Sequence, residues 1–109
     1  MINEILTAAG VEHAQGRFVR IPAGTYAVYF DDIEAETADR VAFTKMPRIY
    51  HHNVTIELYA PTQDAAAENA IESELDARGL EWTKQDRYWL KDLQRYQTVY
   101  EFAYTSKNK

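Results

Sequence analysis

The chain has 109 residues, 46% hydrophobic and 13% aromatic, which fits one folded domain with a single core. Its net charge of −5 lacks the basic balance of a free-standing nucleic-acid binder, and the absence of cysteine excludes disulfides, thiolate metal sites and a cysteine nucleophile. No apolar stretch approaches the roughly 20 residues needed to cross a bilayer, and Met1-Ile-Asn-Glu4 lacks a basic n-region and apolar signal core, so folding is expected in a cytoplasm.

The first predicted element is a short helix over Ile2 to Ala9, with Ile2, Ile5, Leu6 and Ala9 on one stripe and Gly10 as its stop. So short a helix is marginal alone and is expected to form by docking on a sheet. Arg17 to Arg20 reads as a brief extended piece before Pro22 and Gly24 punctuate the chain. Thr25 to Asp31 is a predicted strand, with Tyr26, Val28 and Phe30 on one face and Ala27 and Tyr29 on the other. Asp32 to Met46 has no clear period and is expected to be a long, mobile excursion between two strands. It carries Asp32, Glu34, Glu36 and Asp39 before its first strong base, Arg40.

The clearest strand signal follows, from Ile49 to Tyr59. Val54, Ile56 and Leu58 alternate with Asn53, Thr55, Glu57 and Tyr59, the period of a strand with one buried face. Pro61 ends it, because proline cannot donate to the ladder. Thr62 is the expected N-cap of a second helix, with Asp64 in its first turn. Ala67, Ala70, Ile71 and Leu75 form the predicted buried stripe, while Glu68, Glu72, Ser73, Asp76 and Arg78 are placed on the solvated side. Gly79 suits the C′ position. Leu80 to Gln85 and Tyr88 to Leu90 read as two strand pieces around a tight turn at Asp86-Arg87. Arg95 to Thr105 is the last predicted strand, with Tyr96, Thr98, Tyr100, Phe102 and Tyr104 on one face, followed by a short basic tail, 106–109. The order helix, strands, helix, strands predicts an α+β domain whose two helices pack on a mostly antiparallel sheet.

Catalytic and metal signatures are weak. His51 and His52 are adjacent, so on a strand they point to opposite faces, and His13 lies in another segment. Asp31, Asp32, Glu34 and Glu36 lack the regular oxygen spacing and central glycine of a calcium loop. Ser73 and Ser106 have no nucleophile-elbow context, and the isolated glycines make no phosphate cradle. No catalytic, metal-binding or cofactor-binding residue is expected, and the chain reads as a structural protein rather than an enzyme. Tyrosine is the distinctive residue. Tyr50, Tyr59, Tyr96 and Tyr100 lie on two strands, where they serve either as interface aromatics or as the roof of a small core. Basic residues do not interleave with them, as a base-stacking face would require.

Four stretches carry a family resemblance: Tyr26-Ala-Val-Tyr-Phe-Asp-Asp32; Asn53-Val-Thr-Ile-Glu-Leu-Tyr59 with Asp64; Ala70-Ile-Glu72 with Leu75; and Tyr96-Gln-Thr-Val-Tyr-Glu-Phe102. With them the chain resembles the small tail-completion proteins of long-tailed bacteriophages and prophages, which include tail terminators and head–tail joining proteins. The resemblance spans Tyr26 to Tyr104, while Val11 to Gly24 and the alanine-rich helix depart from it. It implies one tail-terminator-like domain over residues 1–109 and a non-enzymatic role in the virion. Such proteins form a ring, commonly a hexamer, at the head-proximal end of the tail, with the tail tube protein and the head-completion connector as partners. On that reading Asp32, Glu34, Glu36, Asp39 and Arg40 are the candidate interface or lumen loop, and Tyr50, Tyr59, Tyr96 and Tyr100 the candidate interface aromatics. Two other classes remain open. One is a small α+β domain that binds a ligand or peptide, and the other a small hydrolase or isomerase using His51 or His52 with a carboxylate.

Overall fold

Two long strands with strict alternation, placed side by side, organise the computed structural model, which describes residues 1–35 and 49–107. The elements in chain order are α1 (Ile2–Ala8), β1 (Glu12–Gln15), β2 (Tyr26–Ala35), β3 (Ile49–Ala60), α2 (Ala65–Ala77), β4 (Trp82–Lys84), β5 (Tyr88–Leu90) and β6 (Arg95–Lys107). The sheet order is β1-β2-β3-β6-β4, with β5 also on β6; β1 and β2 are parallel and every other pair is antiparallel. The α+β class and element order are as the sequence predicts.

Alternation decides the core. Across β2, β3 and β6 the register aligns Ala27 with Leu58 and Thr98, and Tyr29 with Ile56 and Tyr100. These side chains share the face on which Ile5 and Leu6 of α1 and Ile71 and Leu75 of α2 pack. Each such aliphatic residue taken fully from water contributes about 1.5–3 kcal/mol, which is what holds the seven-residue α1 in helical form. Both helices end alike. Gly10 and Gly79 adopt φ of +73° and +70°, and the next amides, of Val11 and Leu80, donate to Leu6 and Leu75 carbonyls at 3.1 and 3.0 Å. A left-handed residue at this position needs glycine to avoid a Cβ clash, and the turn brings Leu80 back over Leu75.

Five local expectations are corrected. Arg17 to Arg20 is not a strand; the strand in this region is β1, which forms because β2 offers it a parallel edge. The predicted excursion begins later than Asp32: Asp32, Ile33 and Glu34 pair with Asn53, His52 and His51 as the continuation of β2. Positions 36–46 of that excursion, with Glu36, Asp39 and Arg40, lie outside the described residues, as do 108 and 109 of the tail. Ser106 and Lys107 belong to β6. Asp64, not Thr62, is the N-cap of α2, accepting from the Ala67 amide at 3.1 Å and from the Thr25 hydroxyl at 2.6 Å. Thr62 lies too far upstream to reach those amides.

The fifth correction concerns β4, β5 and α2. Lys84 lies opposite Tyr100 and Tyr88 opposite Gln97, so four steps on the edge match three on β6. Asp86-Arg87 is therefore a β-bulge within one interrupted edge strand, and the chain reverses instead at 91–94, where Gln94 has φ +53°. The bulge turns Lys84 and Arg87 to the same side, toward α2. There Glu68 is only 3% exposed, contrary to its expected place on the wet side. Lys84 Nζ lies 2.9 Å from Glu68 and 2.7 Å from Glu72, and Arg87 Nε donates to Glu68 at 2.6 Å. The Tyr100 hydroxyl donates to Glu72 at 2.7 Å. Burial alone pushes the Glu72 carboxyl up, but the bonds from Lys84 and Tyr100 outweigh it and leave the net shift downward. The same bond to Glu72 raises Lys84.

Glu68→Ala should destabilise the fold by about 2 kcal/mol, because it leaves Arg87 without its carboxylate while Lys84 keeps Glu72, whereas Glu74→Ala, which removes the 3.5 Å surface pair with Arg78, should cost less than about 0.5 kcal/mol. Urea denaturation of both variants measures the contrast. Asp64, bonded by Thr25 and the Ala67 amide, also has a lowered pKa. A carboxyl lowered in the fold contributes stability that is present above the ordinary carboxylate range and is lost as pH falls through the folded value. Stability should thus fall below about pH 4, and Asp64→Asn should flatten part of that limb in denaturation curves recorded against pH.

Candidate assembly surface

The face of the sheet turned away from the helices has two unlike ends. At one end the segment 16–25 folds over it. Phe18 meets Tyr26 edge-on at 5.4 Å, Tyr26 stacks on Tyr59 at 5.2 Å, and Arg95 donates to the Ala23 carbonyl at 2.9 Å. The Tyr59 hydroxyl donates to Glu57 at 2.8 Å and accepts from Gln97 at 2.9 Å; burial, reinforced by Glu57, pushes its pKa up to about 12. At the other end the face is bare. Asp32, Glu34 and Glu101 are exposed there, and Phe30 is 44% exposed. No lysine or arginine sits among them on β2 or β3.

Of the predicted loop residues, the structure brings Asp32 and Glu34 to this bare face, on a strand. The predicted aromatics scatter. Tyr59 is half-buried under Tyr26, Tyr50 is half-buried on the helix side, and Tyr96 packs edge-on against Trp89 at 4.8 Å. Tyr100 is fully buried and belongs to the core, because its parity on β6 points it at α2. Burial pushes its hydroxyl pKa far up. Other exposed apolar residues among those described include Tyr88, Trp89 and Leu93 at the β5 turn, and Val19 and Ile21 in the covering segment. Tyr88 and Trp89 pair with Gln97 and Tyr96, toward the end of β6 far from the pairing of Ile33 with His52.

His51 and His52 face opposite sides, as expected, but His52 has partners. Its Nδ1 lies 3.0 Å from both Asp31 oxygens, its Nε2 lies 2.7 Å from Ser106 Oγ, and its ring stacks on Tyr104 at 4.1 Å. The connectivity is that of an acid–base–nucleophile relay. The strand geometry argues against acyl transfer. An oxyanion hole needs convergent amides, and on an extended strand the N–H groups of Ser106 and Lys107 point to opposite edges. The arrangement instead ties the ends of β2, β3 and β6 together. Nothing in the sequence marks it, since its members are 21 and 54 residues apart.

Concavities among the described residues are shallow. One, of about 410 Å³, lies beside β4 and is lined by Asn53, Thr55, Glu81, Trp82 and Glu101. No group of histidine and acidic side chains suited to a metal ion occurs among the described residues.

No family model and no curated protein matches this chain. Solved structures do. A chain from the virion of a native gene transfer agent particle superposes with a TM-score of 0.60, at 15% identity, over 95% of this chain and 84% of its own length. A second solved chain matches with a TM-score of 0.60, at 12% identity, over 98% of this chain and 86% of its own. The likeness is one of fold.

His52→Gln and Asp31→Asn should each lower stability by about 1–3 kcal/mol, the cost of an unpaired buried polar group, measured by chemical denaturation. A fluorophosphonate probe should leave Ser106 unmodified in the wild type. Mass-spectrometric labelling of Ser106 that disappeared in His52→Gln would reverse this assignment.

Proposed function

We propose that this chain is a structural subunit of a phage-like virion, a tail-completion protein that assembles as a ring at the head-proximal end of the tail tube and joins it to the head. The observation that carries the reading is the near full-length match of its fold to a chain of a gene transfer agent virion. The quoted sequence stretches point the same way, and so does the distribution of surface chemistry. A subunit of a ring presents two different patches to its neighbours, and among the described residues exposed Phe30 lies on the bare face of β2 while Tyr88, Trp89 and Leu93 cluster at the turn after β5.

The bare acidic face suits the lining of a passage for DNA. Asp32, Glu34 and Glu101 repel phosphates, so a genome slides past without sticking. The role is non-enzymatic, and the partners are the tail tube protein and the head-completion proteins. Alone, the protein is a monomer or a weak oligomer that completes its ring on the tube. A ligand-binding domain is less well supported, because the polar side chains around the hollow beside β4 stand on a sheet face instead of converging on one point.

Purified chain mixed with tail tubes from a terminator-deficient phage lysate should cap one end of the tubes in negative-stain images. Failure to bind tubes at any concentration overturns the proposal. Replacing Asn53 and Glu101, exposed on the same face, by lysine should leave capping intact yet slow DNA ejection from completed particles, because a basic lining binds phosphates.

A further inference from the structure

Two strand edges at the bare end of the sheet are open, and their hydrogen-bonding groups interleave. On β2 the Tyr29 carbonyl accepts from the Gly16 amide at 2.9 Å, so the peptide groups of Tyr29 point away from β3. Backbone direction alternates along a strand, so those of Asp31, Ile33 and Ala35 point the same way. The pairing with β1 stops at Tyr29, and these three residues have no strand partner on that side among the described residues. On β6 the Val99 carbonyl accepts from the Gln85 amide at 2.9 Å, which sets the odd-numbered peptide groups away from β3. The pairing with β4 stops at Phe102, so Thr105 and Lys107 are open in the same sense.

We propose that these two edges are partners between copies: β2 of one copy adds to β6 of the next as a parallel strand. Direction follows from topology. Both β2 and β6 run antiparallel to β3, hence parallel to each other, and rotation about a ring axis leaves the sense of a strand along that axis unchanged. Spacing agrees. In a parallel ladder each residue bonds to the two that flank its opposite number. The five open residues then interleave as Asp31, Thr105, Ile33, Lys107 and Ala35. The alignment sets Thr105 opposite Asp32, and the lysine at position 107 opposite Glu34. By strand parity these backbone positions continue the acidic face, so the faces of neighbouring copies run together at the seam.

An open edge otherwise invites uncontrolled pairing. A second copy that offers the complementary edge of the same chain satisfies both edges at once. The inference rests on the ring reading for closure, but the pairing of these two edges is a separate claim about which surfaces meet.

The chain has no cysteine, so an engineered pair reports without background. The double variant Asp32→Cys with Thr105→Cys, oxidised at high protein concentration, should give a ladder of covalent oligomers on a non-reducing gel, because adjacent strands hold Cα atoms within disulfide reach. Each single variant should give no species beyond a dimer. Thr105→Pro removes one amide of the open edge without touching the ladder to β3. It should keep the wild-type melting temperature within a few degrees and weaken self-association by at least about tenfold in sedimentation. If the wild type assembles or caps tubes while the double variant stays uncross-linked and Thr105→Pro assembles normally, the edge pairing is wrong and the ring stands. If the wild type neither self-associates nor binds tubes, both fall.

Discussion

The register between β3 and β6, running from Ile49 opposite Lys107 to Ala60 opposite Tyr96, is the constraint on which everything else depends. Because side chains alternate with a period of two, this one alignment decides that Val54, Ile56, Leu58, Tyr100 and Phe102 face the helices. The same alignment sends Glu57 and Glu101 to the other side. A slip of one residue would exchange the two sets, drown the aliphatic stripe and press carboxylates against α1 and α2. The buried aliphatic face prevents that slip, and so the helices, the acidic surface and the His52 cluster all inherit their places from it.

The ionic group under α2 plays a different part. Bringing Glu68 to 3% exposure carries a desolvation cost of several kcal/mol. Two cations and the Thr98 hydroxyl, which donates at 3.4 Å, offset it only because the bulge sets Lys84 and Arg87 on one side. Net stabilisation is therefore small, while the sensitivity to losing any one member is large. What the network fixes is the placement of the edge strand. A regular β4 continued without the extra residue would turn Arg87 to the opposite face and leave Glu68 a single cation.

Much of this was legible from residues alone, where burial and periodicity coincide. Val54 to Leu58 and the tyrosine-rich face of β6 announced their strands, and Ile71 and Leu75 their helix. β1 was not legible: Glu12-His-Ala-Gln15 has no apolar alternation, and its extended form comes from pairing with β2. The end of β2 was missed because Asp31 to Glu34 is mostly polar, which reads as loop although a strand with one wet face needs such residues. Glu68 reads as solvated because an acid on a helix usually is, and its two cations lie 16 and 19 residues further on. At the surface, Asp32 and Glu34 read as acids in a solvated loop; they are exposed, but on a strand. Tyr100 reads equally as core or interface, because tyrosine is at home in both, and only cross-strand parity tells which.

Sequence separation across the central ladder bears on how the chain acquires its shape. Leu58 and its neighbour Thr98 are forty residues apart, with α2, β4 and β5 between them. During synthesis, β2 and β3 emerge as a hairpin whose aliphatic face and open flank stay unprotected until β6 leaves the ribosome. Contacts of such span also make for slow folding, on the millisecond-to-second scale seen for sheets built from distant strands. For that interval the nascent hairpin is a template on which another chain's strand can pair. The period of greatest aggregation risk is therefore set by the translation of residues 61–107, and slowing the ribosome there would be expected to lower soluble yield.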